Sequence, residues 1–151
     1  MLKKYEFRLD PVLKLRKLKE ETCRTELGQL IGALGRIEAQ LQLDRNDVET
    51  YFKIQEGSLK TGIRGDQLQA FPMLVAAKER NIELLLQDQK KQESRIEQKR
   101  TELATLRGEL KVIEKLKEKG YDEHKKAMNK EIDQKVEEQT QIWSQHKDKR
   151  L

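Results

Sequence analysis

The sequence predicts an all-α protein, two long helices forming an antiparallel coiled-coil hairpin, and three observations carry that prediction. Apolar residues recur with 3,4 spacing in two long segments, and a single glycine-rich interruption separates them. The chain is 39% charged but only 35% hydrophobic and 5% aromatic. So few large apolar groups over 151 residues cannot fill a compact core, but they can line one narrow seam between helices. Low hydrophobicity alone would favour disorder. The regular apolar spacing and the near balance of 32 basic against 27 acidic residues argue against it.

The first helix is expected over residues 10–56. Asp10 can accept from the unpaired backbone N–H groups of a helix start, and Pro11 suits the first helical position. With Leu13 as a core position, the alternation runs through Cys23, Leu27, Leu30, Leu34, Ile37, Leu41, Val48 and Tyr51. Arg16, Glu20 and Asp44 interrupt it. Gly28, Gly32, Gly35 and Ala39 fall on the opposite face, each glycine costing about 0.8–1 kcal/mol relative to alanine in a helix interior. That stripe is either a smooth surface for another chain or a compliant stretch of helix.

The reversal is expected at 57–66, where Gly57, Gly62 and Gly65 cluster, and the second helix at 67–149, the whole of 1–151 forming one coiled-coil domain. Asp66 offers a cap, and Pro72 suits either the first turn or a break. The second seam reads Ile82, Leu85, Gln89, Gln92, Ile96, Lys99, Leu103, Leu106, Leu110 and Ile113, polar in its middle. Beyond Ile113 the apolar positions shift to Leu116, Tyr121, Met128, Ile132, Val136 and Ile142 or Trp143, as a stutter would produce. At about 1.5 Å per residue the helices would be roughly 70 and 120 Å long, leaving the C-terminal third without an intramolecular partner.

Several function classes lack their signatures. The sequence contains no glycine-rich phosphate loop, His-Glu-x-x-His motif or nucleophile elbow, so neither an enzyme nor a cofactor is expected. His124 and His146 stand far apart without a ligand set, which excludes an expected metal site. Cys23 is the only cysteine, so it forms no internal disulfide and reads as a small core residue. No apolar run approaches the about 18 residues of a transmembrane segment, and Met1–Leu13 lacks a signal-peptide core; a cytoplasmic address is expected.

The formal charge is +5, concentrated at the N-terminal end, where Lys3, Lys4, Arg8, Lys14, Arg16, Lys17 and Lys19 face only Glu6, Asp10 and Glu20. Such a field attracts acidic surfaces of several kinds, or simply solvates a helix. A basic-region zipper would need a denser Arg/Lys helix than the short tail Lys147, Lys149 and Arg150, so no specific nucleic acid is expected as partner. Aromatic and apolar residues flank the tip: Tyr51 and Phe52 before it, then Phe71, Met73, Leu74 and Val75. They either clamp the end of the hairpin or leave a docking surface there.

The opening Phe7-Arg8-Leu9-Asp10-Pro11-Val12-Leu13-Lys14-Leu15-Arg16, the Tyr51 before a glycine-containing tip, and Phe71, Leu74 and Ile82 after it resemble the FliJ family. That family is the small coiled-coil component of the bacterial flagellar type III export apparatus, and the resemblance spans nearly the whole chain. It implies a non-catalytic activator, similar to the central stalk of rotary ATPases, that works within the hexameric export ATPase. It also implies contacts with the export gate protein and with unloaded substrate chaperones, at the cytoplasmic face of the flagellar basal body. By this resemblance the gate-binding patch near the tip includes Tyr51, Phe71, Leu74, Lys78 and Leu85, with Asp44 and Asp47 departing from its apolar character. The opposite end would engage the ATPase ring through Phe7, Arg8, Leu9, Leu13 and Arg16. The alternative reading is a structural, self-associating coiled-coil scaffold.

Overall fold

The computed structural model describes residues 3–62 and 65–148 and consists of two helices packed against each other, α1 (Asp10–Thr61) and α2 (Gly65–Asp148). Cross-helix hydrogen bonds join Asp44 to Lys78, Leu30 to Gln92 and Cys23 to Lys99. Residue numbers thus fall along α1 as they rise along α2, so the helices are antiparallel, as the hairpin reading requires. Two compact units divide the chain: Glu21–Ala104, and Met1–Glu20 with Thr105–Leu151.

In Glu21–Ala104 the seam buries Cys23, Leu41, Val75, Ile96 and Leu103, flanked by half-buried Leu27, Leu30, Leu34, Ile37, Val48, Ile82 and Leu85. Removing this apolar area from water, at roughly 25 cal/mol per Å², is what holds two otherwise polar helices together. Asp44, read from sequence as a polar break in the apolar alternation, keeps its seam position and is only 3% exposed. It accepts from Gln40 Nε2 at 3.0 Å and from Lys78 Nζ at 3.3 Å, so its burial leaves no stranded charge. Gln92 is buried too, and its Nε2 donates to the Leu30 carbonyl at 3.0 Å. Among the described residues no buried side-chain nitrogen or oxygen lacks a hydrogen-bond partner.

The reversal is tighter than 57–66. α1 continues through Gly57 to Thr61, because one helical glycine costs only about 1 kcal/mol and its neighbours are good helix formers. Thr61 Oγ1 donates back to the Gly57 carbonyl at 3.2 Å, Lys60 lies in the last turn, and Gly62 adopts a φ of 85°, the left-handed conformation that ends helices. Ile63 and Arg64 lie outside the described residues. α2 then begins at Gly65 rather than 67 and runs uninterrupted past Pro72, which is neither in the first turn nor at a break. Pro72 forgoes its hydrogen bond to the carbonyl of residue 68, a loss the helix absorbs without a break. The side chains of residues 66–68, including the expected cap Asp66, and residue 149 of the expected second helix lie outside the described set.

In the other unit, Lys3–Leu9 is non-helical. α1 starts where the Leu9 carbonyl accepts from Leu13 N at 2.9 Å. The Asp10 carboxylate faces Lys117 Nζ at 3.1 Å and Lys14 Nζ at 3.7 Å, the latter one turn along its own helix. Leu13 and Ile113 are buried, and the Glu20 carboxylate, another expected interruption, is buried against Arg107 Nε at 3.2 Å. The shift expected after Ile113 does not occur there. The strict spacing continues through half-buried Lys117, Gly120 and His124, while Leu116 and Tyr121 are exposed. Covering residues select the buried face, and those supplied by Lys3–Leu9 suit Gly120 better than bulky Tyr121. From Asn129 to Lys147 every side chain is exposed, among them Ile132, Val136, Ile142 and Trp143.

Candidate partner-binding sites

The sequence-expected gate residues all lie in Glu21–Ala104. Tyr51, Phe71 and Leu85 are half-buried along the seam, whereas Leu74 is 45% exposed. Lys78 is clasped by Asp47 Oδ2 at 2.9 Å and by Asp44 Oδ1 at 3.3 Å. The Asp47 contact, followed by that to Asp44, raises its pKa above the ordinary value of 10.5 and holds the ammonium charged. The two aspartates that depart from the apolar patch thus form a cross-helix clasp. Phe52 and Met73, not singled out as site residues, are exposed beside seam positions. They are legible only once the seam phase is known.

A second clasp lies further along this unit. Lys99 Nζ reaches Glu26 Oε2 and Glu102 Oε2, and its pKa is raised, chiefly by the Glu26 hydrogen bond. The polar middle of the second seam is therefore tied to α1 at Leu30 and Glu26. Gly28, Gly32 and Gly35 are exposed, and a Cβ added at Gly28 or Gly35 would meet nothing within 4 Å. This agrees with their placement on the outer face.

The residues expected at the ATPase end all lie in the other unit. Arg8 is exposed, Leu9 is 39% exposed and Phe7 is half-buried. Leu13, 3% exposed, serves the seam, and Arg16 Nη1 donates to the Glu109 carbonyl at 2.9 Å. The pKa of Asp10 is lowered below its ordinary 3.8, foremost by the hydrogen bond from Lys117, against a smaller opposing effect of burial.

A sequence-family comparison matches the chain over residues 5–149 to the model described as Flagellar FliJ protein. The chain belongs to the FliJ family. No curated protein and no solved structure is significantly similar to it. A FliJ-family chain is a flagellar export-related protein, which favours export over the scaffold alternative. No helix among the described residues is long and apolar enough to cross a membrane.

Sequence reasoning missed one constellation of this FliJ-family chain. The Tyr5 hydroxyl donates to the Lys117 carbonyl at 3.1 Å, and its ring meets Tyr121 edge-on at 5.8 Å and His124 at 5.5 Å. His124 Nε2, 2.9 Å from the Lys3 carbonyl oxygen, carries the proton in that contact. Gly120 lies against the Tyr5 hydroxyl. The signal available was Gly120 falling at a 3,4 seam position, where an apolar residue was due.

Proposed function

We propose that this protein is a non-catalytic component of the flagellar type III export apparatus that activates the export ATPase and links it to the export gate and to unloaded substrate chaperones. The observation that carries this reading is the FliJ-family match over residues 5–149 of an antiparallel helical hairpin. In this reading it acts at the cytoplasmic face of the basal body.

Arg8 and Leu9 support a ring-binding role for the N-terminal end, since an exposed guanidinium and a partly exposed apolar side chain offer steering charge and contact area. Phe7 adds a half-buried aromatic, while Arg16 contributes charge from a guanidinium already tied to Glu109. Leu13 acts through the seam that shapes this end. At the tip, exposed Leu74 is the natural contact, with Tyr51, Phe71, Lys78 and Leu85 supporting it from the seam.

The test is stimulation of ATP hydrolysis by the purified export ATPase. Reversal of charge at Arg8, or truncation before Asp10, should reduce stimulation more than gate binding, and the protein alone should hydrolyse no ATP. Leu74→Ala should weaken gate binding while leaving helical content unchanged. Full stimulation by both the charge-reversed and the truncated protein would refute the ring placement.

A further inference from the structure

We infer that Tyr5 and Gly120 form a peg and notch that position the N-terminal arm Lys3–Leu9 on α2, and so present Phe7, Arg8 and Leu9 to the ATPase. The second half of this inference rests on the ring-binding reading above. The first stands on geometry alone.

A Cβ placed on Gly120 would lie 2.5 Å from the Tyr5 hydroxyl oxygen and 3.4 and 3.6 Å from two ring carbons. The hydroxyl therefore occupies the space a side chain would need. That oxygen is also fixed by donation to the Lys117 carbonyl one turn earlier on the same face. Gly108 on the same helix has nothing within 4 Å of its added Cβ, so crowding at a glycine is not a general property of this unit. At the arm's start the Lys3 carbonyl accepts from His124, and at its end Asp10 pairs with Lys117. Between these anchors the peg sets where the intervening residues lie. Tyr5 and Gly120 are thus positioning residues: neither need touch the partner for its loss to misplace those that do.

The geometry makes opposite demands on two substitutions, which allows a rescue. Gly120→Ala introduces the clash, yet alanine is the better helix former, so α2 should persist. Tyr5→Phe removes the hydroxyl and with it the closest clash, leaving ring carbons at contact distances that an alanine methyl nearly tolerates. The experiment is trypsin cleavage after Lys3, Lys4 and Arg8 in the full chain, with circular dichroism to verify helix, followed by stimulation of ATP hydrolysis. Gly120→Ala should speed arm cleavage by about tenfold, since cleavage follows the open population. Gly108→Ala should leave it unchanged. Tyr5→Phe should speed it only a few fold, roughly the effect of one lost hydrogen bond. The double variant should be cleaved no faster than Tyr5→Phe alone, a non-additivity expected only of residues in contact. Unchanged cleavage in Gly120→Ala, or a double variant as exposed as Gly120→Ala alone, overturns the peg and notch. Stimulation should fall with Gly120→Ala and recover in the double variant. Cleavage that behaves as expected with equal stimulation by all variants would instead overturn the ring-end reading and leave the latch standing.

Discussion

The α2 seam is covered in two ways, by α1 and by the non-helical residues before it. Within Glu21–Ala104 it meets α1, and its positions hold mostly large apolar side chains, with Lys78, Gln92 and Lys99 bonded to α1. Between Lys117 and His124 it meets the non-helical residues Lys3–Leu9, and there it carries Lys117, Gly120 and His124. A seam position is thus defined by what covers it rather than by hydrophobicity. A neighbouring helix calls for interdigitating side chains, whereas a tyrosine hydroxyl seated against the backbone calls for none at that position.

The largest test compares one substitution at covered and uncovered positions of α2. Ile96 is 5% exposed and Ile132 is 41% exposed. Ile96→Ala should cost about 2–5 kcal/mol through lost burial and a cavity. Ile132→Ala should change stability by less than about 0.5 kcal/mol. Urea denaturation followed by circular dichroism measures both, and equal losses would mean that the C-terminal part of α2 is covered in solution.

A smaller difference should separate the clasps. Arg107→Ala leaves the buried Glu20 carboxylate without its ion-pair partner and should cost about 1–3 kcal/mol. Asp47→Ala leaves Lys78 still paired with Asp44 and should cost no more than about 1 kcal/mol. If Asp47→Ala proves the more damaging, the outer carboxylate rather than the buried one holds Lys78.

Glycines sharpen the same contrast. Gly28→Ala and Gly35→Ala place a methyl in open space within a helix and should each stabilise by about 0.5–1 kcal/mol, read as a raised denaturation midpoint. Destabilisation at either site would show that another chain packs on that face.

The smallest effects are those of pH, and they differ in sign between the units. The depressed pKa of Asp10 means its pairing contributes fully above the ordinary value of 3.8 and is lost as pH falls through the folded value. Lys78, with a raised pKa, contributes fully below 10.5, and that contribution is lost as pH rises through its folded value. Acid should therefore loosen the start of α1 and alkali the Asp44–Lys78 region. Asp10→Asn should remove the first effect, as followed by backbone NMR shifts across each titration.

The sequence by itself determined the all-helical class, the antiparallel pairing and most of the seam in Glu21–Ala104, because burial along a two-helix contact imprints a 3,4 period directly on the residues. It also carried the family. It placed Glu20 and Asp44 in the seam register only as breaks in its apolar character and did not reveal their pairing, since the partner, Arg107 or Lys78, is seen only across the helix pair. Nor did it locate the end of α1, because three glycines offered three places to turn and only Gly62 among the described ones adopts a positive φ. The candidate tip and ring residues were named from sequence, but which of them face outward was not. Leu74 and Leu9 are partly exposed while Leu13 is core, a distinction that follows from seam phase. The docking of Tyr5 over Gly120 was decided by tertiary structure alone. It joins residues more than a hundred positions apart through a missing side chain, and an absent Cβ leaves no periodic trace until the group that fills its space is in view.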